Sequence, residues 1–527
     1  MKVGSGGSAR WDWLWGVVAL VAIGLALFQL LKDERGVERE AVTIDETPAT
    51  IFRPAGETTG PVVLVSHGFA GSRPLMDPFA LTLAGNGYTV VSFDYLGHGR
   101  NPRPLHGDIT AQDGAAQALV EQTQRVADYA RAELMGEDEP MAVLGHSMAS
   151  NIIVRFAQQR DDVVATVGVS MFAPTVDAET PANLMSVVGG FERRLQEEGQ
   201  RVVAMAFDDL EPDQVEMGRT YGSFAEGNAR RIAVAPGVEH VAVLYSQTSL
   251  QEALAWLDQA FEREGEGWVA ARGPWVALLL ASIIALARPA ARLLPRVGQG
   301  EYGAGAGWRR LAVVAGIPAL ATPLVLAPVP TDFLPVVIGD YVAVHFALFG
   351  LLSAALLWWT AGCPGPRGMV AALGLRGGAG WRWLLGVTAV LAYCLVILGV
   401  VLDQFVTVFY PSWERLPLIL AIAAGTLPFF LADEWLTRGT GMRRGAYAVT
   451  KVLFLVSLGL AVALDPEGLF FLLLIVPVVV VFFAVYGLFS RWVYRHTGHP
   501  LVAGLANAVA FAWALGVTFP MLGGPAG

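Results

Sequence analysis

The sequence predicts two parts of different fold class: an α/β domain with a mostly parallel sheet and helices on both faces, and an all-α transmembrane bundle. Residues 41–265 alternate short apolar runs with longer helical patterns, which is typical of strands and helices in alternation. Long hydrophobic stretches dominate the rest. The whole chain of 527 residues is 54% hydrophobic and only 16% charged, which is too apolar for a soluble globular protein.

The predicted domain boundaries follow this change in composition. We expect a cytoplasmic N-terminus at 1–12, a transmembrane anchor at 13–31, the α/β domain at 41–265, and a membrane domain of about eight helices at 268–527. Residues 41–265 contain 15 Arg, no Lys and 31 Asp or Glu, a net charge of −16. So acidic a surface argues against nucleic acid as a partner.

Cysteine is scarce. Cys363 and Cys394 both lie in the membrane part, and residues 41–265 contain none. We therefore expect neither a disulfide framework nor a cysteine-based metal site in the α/β domain.

Nine hydrophobic stretches are long enough to cross a bilayer, which takes about 20 residues. The first, Trp13–Leu31, begins among tryptophans, as an interfacial belt would. A cleaved signal peptide is the alternative, which the absence of a small-residue cleavage site before Lys32 disfavours. The other eight are predicted near 270–288, 311–328, 334–360, 380–402, 416–433, 447–464, 468–490 and 501–520. Proline and glycine in 317–336 leave a re-entrant segment there as an alternative to a full span.

Every second connection between these stretches is rich in basic residues. The remaining connections are short and acidic. The positive-inside rule then predicts a cytoplasmic N-terminus, with Lys2 and Arg10, and an extracytoplasmic α/β domain. We expect a multi-pass protein of the cell inner membrane. The basic residues are Arg288, Arg292, Arg296, Arg309 and Arg310; Arg367, Arg376 and Arg382; Arg438, Arg443, Arg444 and Lys451; and Arg491 and Arg495.

The α/β domain is predicted to place its chemistry at strand ends, where an open parallel sheet binds ligands. Strands are expected over 61–66, 88–93, 141–144, 163–169, 183–188 and 231–235, and helices over 75–85, 109–135, 148–159 and 249–262. The nucleophile candidate is Ser147, in Gly145-His146-Ser147-Met148-Ala149, between a strand and a helix. A serine on such a sharp turn stands clear of the sheet, and small residues at 145 and 149 let the backbone pass.

A second strand end carries His67-Gly68-Phe69. The backbone N–H of Phe69, paired with that of Met148, would form a two-donor oxyanion hole. A glycine-rich turn without chemistry is the alternative. We expect His67 to shape this loop rather than to act as a base.

The candidate general base is His240, which follows the last predicted strand. Glu192, just after strand 183–188, is the candidate acid that orients and stabilises its imidazolium. Asp177 is the alternative acid, and Asp208 and Asp209 rank third. The alternative for each of these carboxylates is that it is simply a solvated surface residue of this acidic domain.

Together these motifs resemble the α/β-hydrolase superfamily, in its lipase, esterase and prolyl-aminopeptidase-like branch. The resemblance covers about 42–263 and includes the run from Asp94 to Gly99 (Asp-Tyr-Leu-Gly-His-Gly) and the chain order Ser, acid, His. It implies acyl transfer through an acyl-serine intermediate, hydrolysed by water, without a cofactor. Because the domain is tethered to the membrane, we expect an acyl ester or lipid of the bilayer as its substrate; a peptidase of the same fold is the alternative.

Two departures from the family stand out. Glu192 occupies a place where the family more often has Asp, and an insertion, Arg193–Arg230, follows it. The insertion overlaps an amphipathic stretch, Phe191–Phe207, which is a candidate cap. The rival of another class is a transporter or intramembrane protein with an accessory hydrolase domain. Within the spans, Glu434 and Arg438 are spaced as an i,i+4 salt bridge. Protein partners are not indicated by the sequence.

Overall fold

The computed structural model describes residues 7–56, 60–109, 114–265, 267–298, 300–365 and 380–523. Three basic residues of the predicted topology, Lys2, Arg367 and Arg376, lie outside these ranges. The chain divides into two units. The sheet unit comprises Leu25–Leu279, Leu402–Ser412 and Thr518–Gly527, and the helical unit comprises Met1–Gly24, Leu280–Val401 and Trp413–Val517.

The sheet unit is built on nine strands in the order β1-β2-β4-β3-β5-β6-β7-β9-β8. The strands are β1 Val37–Ile44, β2 Thr47–Pro54, β3 Val62–Ser66, β4 Thr89–Phe93, β5 Met141–His146, β6 Val163–Val169, β7 Leu184–Gly189, β8 Thr220–Tyr221 and β9 Arg230–Ala235. The six strands from β4 to β9 through the centre pair in parallel, and β1, β2 and β8 pair antiparallel. The predicted mostly parallel sheet is thus confirmed.

The central strands read as continuous apolar runs because both of their faces are covered. Residues 62–66 of β3 and 89–93 of β4 are buried throughout. The sequence prediction did not include the hairpin β1–β2 or the short β8. In β1, Val37–Ile44, charged and exposed residues dominate, as on an edge strand, so a search for apolar runs passes over it.

Helices cover both faces of the sheet, as predicted. On one face, α2 and α6 contribute Phe79 and Leu254 to a buried core; on the other, α3 and α4 contribute Val126 and Phe156 to a second core. The helices of this unit are α2 Asp77–Gly85, α3 Ala115–Leu134, α4 Met148–Ala157, α5 Arg193–Ala204 and α6 Gln247–Ala260.

Helix α5 corrects the interpretation of Phe191–Phe207 as a cap. It connects β7 to β9 and buries Val202 and Val203 against the sheet. At Gly199 the approach is so close that an added Cβ would lie 2.5 Å from Ile232 Cδ1. The amphipathic pattern therefore reflects packing on the sheet, and the cap interpretation is wrong for this helix.

Nine helices among the described residues are long and apolar enough to cross a membrane, which is the predicted number. They identify a multi-pass membrane protein. Helix α8 continues through Pro318 and Pro323 to Leu326, so the first half of 317–336 is helical. The nine helices are α1 Gly7–Lys32, α7 Gly273–Ala290, α8 Trp308–Leu326, α9 Gly339–Thr360, α10 Gly380–Phe405, α11 Leu416–Leu436, α12 Ala446–Leu464, α13 Phe470–Thr497 and α14 Pro500–Thr518.

Two pairs of oppositely charged side chains are buried in the helical unit. Arg438 lies 3.2 Å from Glu434, the i,i+4 pair expected from the spacing. Lys451 forms an ion pair with Asp433. Pairing lowers the free-energy cost of placing a charge away from water, and the Asp433–Lys451 pair joins α11 to α12.

Candidate active site

The turn between β5 and α4 holds Ser147 in a conformation that few non-glycine residues adopt. Its backbone has φ 53° and ψ −117°, in a region that L-residues enter at a cost. An added Cβ on Gly145 would lie 3.0 Å from the backbone of Ala149, which explains the small residues flanking the serine. The Ser147 N–H donates to Val169 O at 2.8 Å and ties the turn to β6.

Three side chains from separate strand ends form one chain of hydrogen bonds. Ser147 Oγ lies 2.8 Å from His240 Nε2, and His240 Nδ1 lies 2.5 Å from Glu192 Oε1. An ionised carboxylate only accepts hydrogen bonds, so Nδ1 carries the proton of the neutral imidazole. His240 Nε2 is then the acceptor for the Ser147 hydroxyl.

Glu192 is held by donors on both of its oxygens. Its Oε2 accepts from Ser170 Oγ at 2.7 Å and from the Gly189 N–H at 2.6 Å. Burial raises the pKa of the Glu192 carboxyl, but the hydrogen bonds from His240, Ser170 and Gly189 outweigh it, and the pKa falls below its usual value. The carboxyl is therefore ionised at neutral pH, as the partner of an imidazolium must be.

The other candidate acids are not part of this chain of hydrogen bonds. Asp177 accepts from the N–H groups of Glu179 at 2.9 Å and Thr180 at 2.7 Å, within its own surface turn. Asp208 and Asp209 are exposed after α5. Among the three alternatives from the sequence, the structure brings Glu192 to His240.

The β3 loop, residues 67–72, passes directly over the serine turn. An added Cβ on Gly68 would lie 2.9 Å from His146 Nδ1 and 3.0 Å from Ser147 Cβ, so only glycine fits there. Phe69 follows in the same loop. Met148 is the first residue of α4, where a backbone N–H has no acceptor within the helix. The two candidate oxyanion donors thus belong to segments that meet beside the nucleophile.

His67 has the loop-shaping contacts expected of it. Its Nε2 accepts from the Tyr95 N–H at 3.1 Å, so Nδ1 carries the proton and donates to Gly68 O at 2.8 Å. Burial lowers the pKa of His67. A neutral, fully engaged imidazole at this place joins the β3 loop to the end of β4.

His146 supports the base, a role that the sequence did not suggest. Its Nε2 lies 2.9 Å from His240 O, and because a carbonyl only accepts, Nε2–H is the donor. Burial, and then the charge of His240, lower the pKa of His146 to about 3. His146 is therefore neutral at ordinary pH and can donate this hydrogen bond.

Asp94 and Ser170 are two further residues that sequence reasoning did not single out for a role. The buried Asp94 carboxylate accepts from Arg73 N at 2.9 Å, Arg73 Nε at 3.1 Å and Arg100 N at 3.1 Å. It fastens the end of the β3 loop to the loop after β4. Ser170 directly follows β6, has φ 49° and donates its hydroxyl to Glu192 Oε2 at 2.7 Å. Asp94 lies in the run quoted for the family resemblance, which was the available signal.

A family model described as serine aminopeptidase, S33, matches residues 58–215. The sheet unit therefore has an α/β-hydrolase fold. This confirms the resemblance seen in the sequence. Two uncharacterised proteins of Mycobacterium tuberculosis, from strains CDC 1551 / Oshkosh and H37Rv, are each 37% identical to this chain over 103 residues, 19% of this chain and 33% of theirs. The chain thus spans a third of the length of these curated relatives.

Solved structures with some similarity to the chain include three hydrolases. A dienelactone hydrolase from Anabaena variabilis has TM-score 0.30 and 16% identity, covering 42% of this chain and 98% of its own. A membrane phospholipase A, described as a bacterial virulence factor, has TM-score 0.28 and 16% identity, covering 47% and 91%. An epoxide hydrolase from Vigna radiata has TM-score 0.21 and 20% identity, covering 28% and 40%. None of these likenesses bears on the substrate of the α/β-hydrolase domain.

Proposed function

We propose that the protein is a membrane-tethered serine hydrolase that cleaves carboxylic esters, lipid esters among them, on the extracytoplasmic side of the membrane. One observation carries the proposal: Ser147 Oγ and His240 Nε2 lie 2.8 Å apart, and His240 Nδ1 lies 2.5 Å from Glu192 Oε1. This is the arrangement that activates a serine as a nucleophile.

In the acylation step, Ser147 Oγ attacks the ester carbonyl carbon while its proton moves to His240 Nε2. The negative charge on the carbonyl oxygen is stabilised by the N–H groups of Phe69 and Met148. Glu192 stabilises the imidazolium formed on His240. His240 then returns the proton to the leaving alkoxide, the ester C–O bond breaks, and an acyl-serine remains.

In the deacylation step, water replaces the alcohol. His240 Nε2 takes a proton from the water as its oxygen attacks the acyl carbon, and the same two N–H groups stabilise the second oxyanion. The proton then passes to Ser147 Oγ as its bond to the acyl group breaks. The products are a carboxylic acid and the free serine, so no further reactant is required.

The extracytoplasmic side is supported by the charge pattern and by one contact at the ends of α1 and α7. Asp12, at the start of α1, pairs with Arg288 at 2.7 Å and with Arg292 at 2.6 Å, just where α7 ends. If α1 and α7 both cross the membrane, this contact places the start of α1 and the end of α7 on the same side of it. The arginines there indicate that this side is cytoplasmic. The hydrolase domain lies between them in the sequence and would emerge on the other side. Tethering at both ends keeps it near the bilayer, which favours a lipid or acylated substrate.

The first test is labelling of the purified protein with a fluorophosphonate. Ser147→Ala and His240→Ala should abolish labelling, because the probe reacts with an activated serine. Ser223→Ala, in the loop after β8, is a matched control that should label like the wild type. Labelling of Ser147→Ala at the wild-type rate would exclude the proposed nucleophile.

A peptidase is the second candidate, and the description of the matching family model favours it. Hydrolysis of p-nitrophenyl esters of increasing acyl chain length can be compared with that of aminoacyl anilides. We expect the esters to give the higher kcat/KM, rising with chain length for a lipid substrate. Preference for the anilides would assign the site to peptide bonds instead.

A further inference from the structure

The sheet unit includes a segment from far along the chain. Residues Leu402–Ser412 follow the hydrolase sequence by more than a hundred positions. They comprise the last residues of α10 and the connection that follows it, yet they belong to the sheet unit. Several of its residues are deeply buried there, among them Asp403, Val408 and Phe409. We call residues 402–412 the inserted segment.

The inserted segment is bonded to the β3 loop through one buried serine. Ser72 Oγ lies 2.7 Å from Thr407 Oγ1 and accepts from the Val408 N–H at 2.8 Å. Ser72 is only 1% exposed, so water does not substitute for these partners. Ser72 thus ends the loop that begins at His67 and contains Phe69, and its hydroxyl faces a part of the chain outside residues 41–265.

A second bond fastens the inserted segment to the loop after β4. Asp403 Oδ2 accepts from Arg100 Nη2 at 2.7 Å, and its Oδ1 accepts from the N–H groups of Phe409 at 2.9 Å and Tyr410 at 3.1 Å. The Asp403 carboxylate therefore stabilises the conformation of the inserted segment and also attaches this segment to the loop after β4. Arg100 N in turn bonds Asp94, which holds the β3 loop through Arg73. The inserted segment is therefore linked to the β3 loop in two ways, directly through Ser72 and indirectly through Arg100 and Asp94.

The last residues of the sheet unit add to the same surface. Leu105 N donates to Met521 O at 2.8 Å and Met521 N donates to Gly97 O at 2.9 Å, so this segment pairs with the loop after β4 as a strand would. The ring of Phe519 packs edge-on against that of Phe69, with centroids 6.4 Å apart. The residue that carries a candidate oxyanion donor is thus packed by a side chain from outside residues 41–265.

We propose that Thr407 and the Val408 N–H of the inserted segment position the β3 loop through Ser72, so that the N–H of Phe69 is aimed at the transition-state oxyanion. This inference rests on the proposed function, because it assigns the positioning of the same site. Thr407 is a positioning residue and does not touch substrate. An element of the chain beyond the hydrolase sequence is therefore required for full catalytic power.

A positioning role has a kinetic signature that a role in stability alone does not have. An oxyanion donor interacts more strongly with the transition state than with the ester, so its displacement lowers kcat and leaves KM nearly unchanged. Loss of one oxyanion donor costs about 10²–10³ in kcat, and a displaced donor should cost roughly tenfold. An inhibitor that forms a tetrahedral adduct with the serine, such as a trifluoromethyl ketone, should weaken by the same factor.

The test uses the full-length protein in detergent, with a p-nitrophenyl ester as substrate and a trifluoromethyl ketone as inhibitor. Thr407→Val and Ser72→Ala should lower kcat roughly tenfold, raise the inhibition constant in parallel and leave KM within about twofold. Thr407→Ser retains the hydroxyl and should restore wild-type values. Thr43→Val makes the Thr→Val change at an exposed position of β1 and should change none of these constants.

The outcomes separate this inference from the proposed function. If Ser147→Ala abolishes fluorophosphonate labelling but Thr407→Val matches Thr43→Val in kcat, the positioning role is wrong and the serine hydrolase stands. If Ser147→Ala still labels, the proposed function itself is wrong. If Thr407→Val also lowers the melting temperature, the ratio of the inhibition constant to KM distinguishes a positioning role from a loss of stability, because both constants report only on folded molecules. An unchanged ratio overturns the inference.

Discussion

Glu192 illustrates how single residues at the candidate site are held in one protonation state. Burial alone would favour the neutral carboxylic acid, but three hydrogen bonds to its oxygens favour the carboxylate and lower its pKa. One of these donors, Ser170, has a strained backbone with φ 49°, which turns its hydroxyl toward Oε2 at 2.7 Å. A carboxylate held in this way both orients His240 and stabilises its charged form.

The acid can be identified by exchanging one carboxylate at a time. Glu192→Gln keeps the shape but loses the charge that stabilises the imidazolium, so kcat should fall by roughly 10³-fold or more. Asp177→Asn should keep near wild-type kcat, because its carboxylate accepts hydrogen bonds from Glu179 and Thr180 in its own surface turn and none is described to His240. Ester hydrolysis by both purified variants checks this. If the Asp177 variant alone lost activity, Glu192 would be the wrong choice.

His146 predicts a pH dependence of stability. Its pKa is lowered to about 3 from the ordinary 6.5, so between these values the unfolded chain binds a proton that the folded protein does not. Stability from this group is full above pH 6.5 and is lost as the pH falls toward 3. His146→Gln keeps a donor for His240 O and removes the titration. Between about pH 8 and about pH 5, the melting temperature of the wild type should fall further than that of the variant; parallel curves would contradict the assignment.

At the scale of secondary structure, α5 shows why an amphipathic pattern alone does not reveal its partner. The helix presents one apolar face, with Val202, Val203 and Ala204 buried, and the opposite face is charged. The same amphipathic pattern is expected of a helix that covers a substrate site and of a helix that packs on a sheet. The connection from β7 to parallel β9 requires a crossover, and α5 provides it.

The packing role of α5 predicts a stability effect that is separate from activity. Val203→Ala removes buried methyl groups and should lower the free energy of unfolding by roughly 1–3 kcal/mol, with KM for a short ester unchanged. Arg194→Ala on the exposed face of the same helix should have little effect on unfolding. Thermal unfolding and ester kinetics of both variants measure this. A change in KM with unchanged stability would restore the cap interpretation.

At the scale of the whole molecule, topology decides which compartment the serine faces. The orientation can be tested with single cysteines in a Cys363→Ser, Cys394→Ala background. Glu216→Cys places an exposed thiol in the hydrolase domain, since the Glu216 side chain is 71% exposed. It should react with a membrane-impermeant maleimide added to intact cells. Arg443→Cys, exposed in an Arg-rich connection, should react only after permeabilisation. The reverse pattern would invert the predicted topology.

Much of the fold was predictable because its signals are local. The central strands are apolar on both faces, the spans are long apolar runs, and the turn around Ser147 follows a strand and precedes a helix, so each is read from neighbouring residues. The hairpin β1–β2 at one edge of the sheet was not predicted, because its outer strand β1 is largely exposed and charged and has no comparable apolar run. The cap interpretation of α5 failed for the related reason that a helix pattern does not name its partner.

The sequence by itself determined the α/β-hydrolase fold, the number of candidate spans, and the candidate nucleophile and base, since these follow from periodicity and short motifs. Only the tertiary structure decided which carboxylate meets His240, that His146 supports the base through its carbonyl, and that residues 402–412 belong to the sheet unit. These depend on contacts between residues 48, 94 and up to 336 positions apart in the chain. Hydrogen bonds over such separations follow from how the backbone folds in three dimensions, and no local pattern encodes them.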